Sequence, residues 1–320
     1  MPKFSLIATP IMIRKVSAVV PVYCSRHSLP VLVPQLLDTL QGAGYEPEVI
    51  LVDDASPDDT WAACRELNNR YGARVKIIRL AANRGQHNAT LCGMAHATGD
   101  AVITIDDDLQ NPPEEVPALL EPLSRGFDLV IARYPRTGGW DWKNLGGVLV
   151  DGLLRQIFQL APDFHLTSFR AVRRSVAEEA CRMPAVYPYV TAMLLSHANR
   201  TCNVAVRHEQ RHHGASGYGP ARSFALAANL VFNYSSYPLC LVALLCLGSL
   251  AFALAASLVV LAKVLAEGIR VPGWASLMVM MAFFNSMILL GMVIFGIYLT
   301  RLNEIVSRSR VRYTIGEIHG

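Results

Sequence analysis

The chain has 320 residues, 52% of them apolar, with 29 Lys and Arg against 25 Asp and Glu and a formal net charge of +4. That length supports one sizeable domain plus a smaller unit. The modest charge, with no basic tract, argues against a nucleic-acid partner and suits an anionic lipid surface, while seven cysteines without a CxxC spacing read as reduced thiols rather than a disulfide framework or a zinc site.

Residues 1–13 are a mildly apolar tail broken by Pro10, without the layout of a signal peptide. Beyond them, short apolar runs alternate with helical stretches. Val16–Val22, Val49–Val52, Val75–Leu80, Ala101–Ile105 and Leu129–Ala132 are the runs. Their shortness and β-branched content predict strands buried on both faces of a mostly parallel sheet. Helices are predicted over Leu29–Ala43, Asp58–Tyr71 and His87–Ala97, and from Asn111-Pro112-Pro113-Glu114-Glu115. In that last stretch Asn caps, Pro suits the first turn and the acids complement the helix dipole.

Further on, Leu239 to Ala262 and Ala275 to Leu299 carry no charge at all. Each run exceeds the roughly 20 residues that cross a bilayer core, and core helices of soluble domains rarely stay uncharged for so long. The short loop between them predicts a hairpin over 237–300, with spans 239–262 and 275–299. A juxtamembrane interfacial segment, 211–236, precedes it. Residues 301–320 read as a basic tail carrying Arg301, Arg308, Arg310 and Arg312, against only Lys263 and Arg270 in the loop. The positive-inside bias places that tail, and the N-terminal domain over 14–210, in the cytoplasm.

Ligands of open α/β sheets bind beyond the carboxyl ends of the strands. Asp53-Asp54 closes the second predicted strand and Asp106-Asp107-Asp108 the fourth, while neither GxGxxG nor GxxxxGK[ST] is present. If extended structure persists to Asp108, Asp106 and Asp108 share a face and Asp107 points the other way. Two carboxylates without His or Cys favour Mg²⁺ or Mn²⁺, a cation suited to neutralising a departing diphosphate. A lone acidic triplet is as readily a solvated turn; its context, Ile-Thr-Ile before and Leu-Gln-Asn-Pro-Pro-Glu-Glu after, separates it from that case.

Ile105-Asp106-Asp107-Asp108-Leu109-Gln110-Asn111-Pro112-Pro113-Glu114-Glu115 resembles the DxDLQxPPE signature of the polyisoprenyl-phosphate branch of family 2 glycosyltransferases. This branch includes dolichol-phosphate mannose synthases, bactoprenol glucosyl transferases and undecaprenyl-phosphate 4-deoxy-4-formamido-L-arabinose transferases. Val19-Val20-Pro21-Val22-Tyr23, Leu51-Val52-Asp53-Asp54-Ala55-Ser56 and Asn83-Arg84-Gly85-Gln86-His87-Asn88-Ala89 resemble further family blocks in family order, and the likeness covers nearly the whole chain.

The resemblance implies a GT-A catalytic domain, a Rossmann-like α/β fold with a mostly parallel sheet, followed by a two-helix transmembrane hairpin. It implies a membrane-anchored enzyme of the bacterial inner membrane that transfers a sugar, with inversion, from a nucleotide-sugar donor to a polyisoprenyl phosphate. The wording of the motifs is nearest the formamido-arabinose transferases, which implies a uridine diphosphate donor and undecaprenyl phosphate as acceptor. Homo-oligomerisation follows by family analogy. By the same resemblance the donor lies against Pro21, Tyr23, Asp53, Asp54, Asn83, Gly85, Asp106 and Asp107. Asp106, Asp108 and Gln110 surround the metal. Arg133, Arg170, Arg211, Ser216 and Tyr218 face the acceptor phosphate, and Asp106, Asp108 and Arg170 are the catalytic set.

The chain departs from the family pattern at four places. Cys24-Ser25 replaces an Asn-Glu pair. Ala55 replaces the Gly of the DDGS turn, which predicts a backbone there that avoids φ > 0. Gly217 stands where a Lys is usual, and the only acid ahead of Arg170 is Asp163, seven positions away. Two rival readings follow: a transferase with a sugar-hydroxyl acceptor, and a membrane scaffold on an inactive transferase fold.

Overall fold

The computed structural model describes residues 11–134, 154–161, 163–183, 188–207, 209, 273–307 and 313–320, together with 152 and scattered helical positions between 242 and 266. It forms two compact units, Met1–Ala227 with Arg310–Gly320, and Ala228–Ser309.

The first unit is built on an eight-stranded sheet: β1 (Lys15–Val22), β2 (Glu46–Asp53), β3 (Val75–Leu80), β4 (Ala101–Thr104), β5 (Leu129–Arg133), β6 (Arg170–Arg173), β7 (Thr201–Ala205) and β8 (Ile315–His319). Their spatial order is β7-β5-β6-β4-β1-β2-β3-β8. Parallel pairing joins β4, β1, β2 and β3, and also β5 and β7; β6 runs antiparallel between β4 and β5, and β8 antiparallel along β3. All five predicted strands are present, β2 and β5 being longer than their apolar runs. From Val16 to Val22 every residue of β1 is buried, as a central parallel strand covered on both faces requires.

Helices α1 (Leu29–Gly42), α2 (Thr60–Tyr71), α3 (Gln86–Ala95), α4 (Val116–Ser124), α5 (Arg174–Arg182) and α6 (Val190–His197) surround the sheet. Leu29, Leu32, Val33, Leu36, Leu37 and Leu40 form the buried stripe of α1 at helical spacing. Full burial of one such side chain contributes about 1.5–3 kcal/mol. Gly93 lets α3 close onto β1: a Cβ there would lie 2.3 Å from Val19 Cγ1.

Several local expectations are corrected. β4 ends at Thr104, so extended structure does not reach Asp108; residues 107–108 form a turn, and Leu109 has φ 61°. Asn111 does not cap a helix. It is buried, its Oδ1 accepts the Tyr134 hydroxyl at 2.6 Å, and Pro113–Glu115 forms a 3-10 turn ahead of α4. Ala55 adopts φ 56°, the conformation that its lack of a glycine backbone was expected to forbid. The Ser56 N–H bond to Asp53 Oδ1 at 3.0 Å and the Asp54 N–H bond to the Val22 carbonyl at 3.0 Å hold that turn from both sides.

In the second unit, helix α7 (Trp274–Ser307) contains the predicted span 275–299. Its segment Phe283–Thr300 has a mean hydropathy of 1.9 and no buried residue. At 1.5 Å per residue, its 34 residues extend about 51 Å, longer than a bilayer core. Only scattered positions of span 239–262 are described, so one apolar helix, not a hairpin, is established here. The juxtamembrane segment 211–236 lies outside the described residues. The expected tail, 301–320, contains the end of α7 and strand β8, which belongs to the sheet.

Candidate active site

Parallel pairing brings the carboxyl ends of β1, β2 and β4 to one sheet edge. Because β6 is antiparallel, its first residue reaches the same edge: Arg170 pairs with Thr104 and Ile131. Arg133, exposed at the end of β5, is there too, since β5 runs with β4.

The two acids after β2 turn inward. Asp53 is fully buried; besides the Ser56 N–H, it faces Arg79 Nε at 3.3 Å. Asp54 accepts the N–H groups of Arg84 and Gly85, both at 2.7 Å. Burial raises its carboxyl pKa, and those two bonds only partly offset the rise. Both acids therefore hold backbone: Asp53 the 53–56 turn, and Asp54 the loop whose Asn83 and Gly85 are exposed.

The second acidic group divides three ways. Asp107 turns to the loop after β1, accepting the Tyr23 N–H at 3.1 Å and the Ser25 hydroxyl. Ser25, which departs from the family's Glu, thus has a partner of its own. Burial pushes the Asp107 carboxyl up to about 6, against the pull of those two bonds. Asp106 accepts Gln86 Nε2 and Ser168 Oγ, each at 2.5 Å. Asp108 Oδ1 accepts the Gln110 N–H at 3.2 Å.

No group of three or more His, Cys, Asp or Glu side chains arranged for a metal occurs among the described residues. The donor set at this edge is Asp106 and Asp108, with Gln110 adjoining. It fits Mg²⁺ or Mn²⁺, which are commonly held by one or two carboxylates and complete their shell with phosphate oxygens and water.

Arg170 is 3% exposed and donates to Thr104 Oγ1 at 3.1 Å and Thr191 Oγ1 at 2.7 Å, both neutral. Burial lowers its pKa to about 10, so it stays charged at neutral pH. It lines a cavity of about 110 Å³ together with Pro21, Asp106, Gln86, His87 and Tyr189. Tyr23, two residues after Pro21, is 50% exposed. Arg211, Ser216 and Tyr218 lie outside the described residues, and Asp163 is described away from any strand or helix.

Sequence reasoning missed Gln86 and Ser168 as the orienters of Asp106, and Arg79 as the cation facing Asp53. Gln86 stood inside a quoted motif and Ser168 two residues before Arg170, but neither carries a charge that marks it. Arg79 sits in an apolar strand whose pairing partners lie far away in sequence.

A mostly parallel sheet with acids at its carboxyl edge, oriented by neutral donors and accompanied by buried and exposed arginines, defines a glycosyltransferase of the GT-A-like class. The chain belongs to glycosyl transferase family 2, whose domain matches residues 17–180. It is 33% identical, over 96% of its length and 94% of the relative's, to the undecaprenyl-phosphate 4-deoxy-4-formamido-L-arabinose transferase of Edwardsiella ictaluri (strain 93-146). Among solved structures, mannosyl-3-phosphoglycerate synthase from Rubrobacter xylanophilus aligns over 68% of this chain and 73% of that one, with TM-score 0.52 and 19% identity, a likeness of fold. Glucosyl-3-phosphoglycerate synthase from Mycobacterium tuberculosis, in complex with Mn²⁺, UDP-glucose and phosphoglyceric acid, aligns over 68% of this chain and 79% of that one, with TM-score 0.47 and 22% identity.

Proposed function

We propose that this enzyme transfers a sugar from a uridine diphosphate-linked donor to the phosphate of a polyisoprenyl phosphate, undecaprenyl phosphate in particular, at the cytoplasmic face of the bacterial inner membrane. The observation that carries this reading is similarity over nearly the full length of an undecaprenyl-phosphate sugar transferase, in a chain whose Asp106, Asp108, Arg133 and Arg170 share one sheet edge.

The donor lies along the ends of β1, β2 and β4, in a recess shaped by the turn that Asp53 braces and the loop that Asp54 holds. Asp106 and Asp108, with Gln110 beside them, hold Mg²⁺ or Mn²⁺, which when bound offsets negative charge on the departing diphosphate. Gln86 and Ser168 keep the Asp106 carboxylate oriented. Arg133 and Arg170, with Arg211, Ser216 and Tyr218 from the segment nearer the membrane, balance the charge of the incoming lipid phosphate.

A phosphate oxygen forms the new bond to the anomeric carbon from the face opposite the leaving group, and the bond to the diphosphate breaks, giving inversion. A phosphate monoester has a second pKa of about 6, so it attacks already ionised and needs no general base. That makes an acid ahead of Arg170 dispensable. Positioning and charge balance are the protein's work.

The apolar unit interrupts the sheet-bearing unit, whose segments flank it on both sides. A folded unit on one membrane face requires an even number of crossings between those segments, which supports the hairpin of spans 239–262 and 275–299.

The test offers the purified full chain undecaprenyl phosphate and a panel of nucleotide sugars, with lipid products read by mass, with and without a chelator. A phosphate-linked lipid sugar that needs divalent metal is expected. Donor turnover that depends on a sugar hydroxyl acceptor instead would overturn the acceptor assignment.

A further inference from the structure

The cavity beside Asp106 lies between the start of α3, the end of β4 and the residues leading into α6. Among its described lining residues, Asp106 and Arg170 carry the full charges. The rest is largely neutral hydrogen-bonding groups, among them Gln86, Thr90, Ser168 and Thr191, beside two rings, His87 and Tyr189, edge to face with centroids 4.9 Å apart. This is the surface a polyhydroxylated ring needs. Each buried hydroxyl has to recover the hydrogen bonds it made to water, and the C–H faces pack against rings.

Most of these groups are already engaged. Gln86 and Ser168 donate to Asp106, Thr90 donates to the Gln86 carbonyl at 2.8 Å, Thr104 donates to the Ser168 carbonyl at 2.6 Å, and Thr191 accepts from Arg170. The imidazole of His87 is the exception. It touches Tyr189 and hydrogen-bonds to none of the described residues.

We propose that this cavity receives the sugar ring of the donor and that His87 is a specificity-determining residue, hydrogen-bonding a polar substituent of that ring. Tyr189 sets the tilt of the imidazole, and Gln86, its neighbour in sequence, ties the start of α3 to Asp106, so the reading group stands at a fixed place relative to the acid edge. The inference rests on the transferase reading above. It differs from that reading in concerning only the sugar, so nucleotide and lipid binding serve as internal controls. Specificity of this kind has a physical basis: a site built to bond a substituent leaves its own polar group unpaired when the substituent is missing.

The experiment uses the full chain in detergent with undecaprenyl phosphate and a panel of UDP-sugars differing at one ring substituent at a time. His87→Phe keeps a ring against Tyr189 but has no nitrogen, and His87→Asn keeps a donor and an acceptor. The expected result is that His87→Phe lowers kcat/KM for the preferred donor by about 10–100-fold relative to a donor lacking the recognised substituent. UDP affinity and lipid KM stay within about twofold on that change, and His87→Asn recovers part of the discrimination. Calorimetry of each UDP-sugar against UDP reads the sugar contact without turnover. Loss of the sugar's added affinity in His87→Phe supports the assignment even where lipid transfer is absent and the acceptor reading fails. A uniform fall across all donors, or UDP affinity falling in step, overturns it.

Discussion

Asp54 accepts the N–H of Gly85 at 2.7 Å, binding the end of β2 to the residue that precedes α3. The Arg84 N–H meets the same carboxylate, and Gly85 takes φ 86°, a conformation glycine adopts without a Cβ penalty, as the chain turns into α3. The helix that follows carries Gln86 and His87, so an acid at one strand end fixes two side chains at another.

Replacing Asp54 with Ala leaves two backbone donors facing a buried position. The expected loss is about 2–3 kcal/mol of stability, read as a lowered urea midpoint. Donor binding should weaken as well, because the 83–85 loop loses its anchor. Unchanged stability would show that the loop holds itself.

Asp108 accepts the Gln110 N–H within its own turn, two residues away, whereas Asp54 anchors a loop thirty residues further along the chain. Asp108→Ala is expected to lower transfer by about 10²–10³-fold, the scale of an electrostatic catalytic group, with the thermal midpoint nearly unchanged. Normal turnover would remove Asp108 from the metal set.

Ala55 sits at φ 56°. A Cβ there costs about 1–2 kcal/mol, and glycine's extra freedom in the unfolded chain costs about 0.5–1 kcal/mol. Ala55→Gly should therefore stabilise by up to about 1.5 kcal/mol, and Ala55→Val should destabilise. Equal midpoints for all three would mean that the turn relaxes.

Burial, assisted by the charge of Arg170, lowers the His87 imidazole to about 4 from 6.5. For a base with a depressed pKa, the unfolded chain binds the extra proton first. The neutral imidazole is therefore fully compatible with folding above about pH 6.5, and stability is lost as pH falls toward 4. His87→Phe lacks that titration. Thermal midpoints of the two proteins should keep a constant difference above pH 7 and move apart in favour of the variant between pH 6 and 4.5. Parallel curves would place the imidazole in solvent.

Strands β1 to β5 were legible because each is an apolar run of the right length. The acids were legible as site residues because parallel strands deliver their carboxyl ends to a common edge. What the linear pattern did not contain was the direction of each acid. Asp106, Asp107 and Asp108 are consecutive, yet Asp106 is set by Gln86 and Ser168, and Asp107 by Tyr23 and Ser25. Those partners are distant in sequence, so only pairing of whole strands brings them near.

The sequence by itself determined the layered α/β architecture, the apolar C-terminal segment and the family, because periodicity, hydropathy and short motifs are local properties. Tertiary structure decided that β6 enters the sheet against the run of its neighbours and carries Arg170 to the acid edge. It also decided that the final residues form β8 beside β3, and that His87 faces a cavity. Each of these depends on backbone hydrogen bonds or packing between segments far apart in the chain, where no local pattern records the partner.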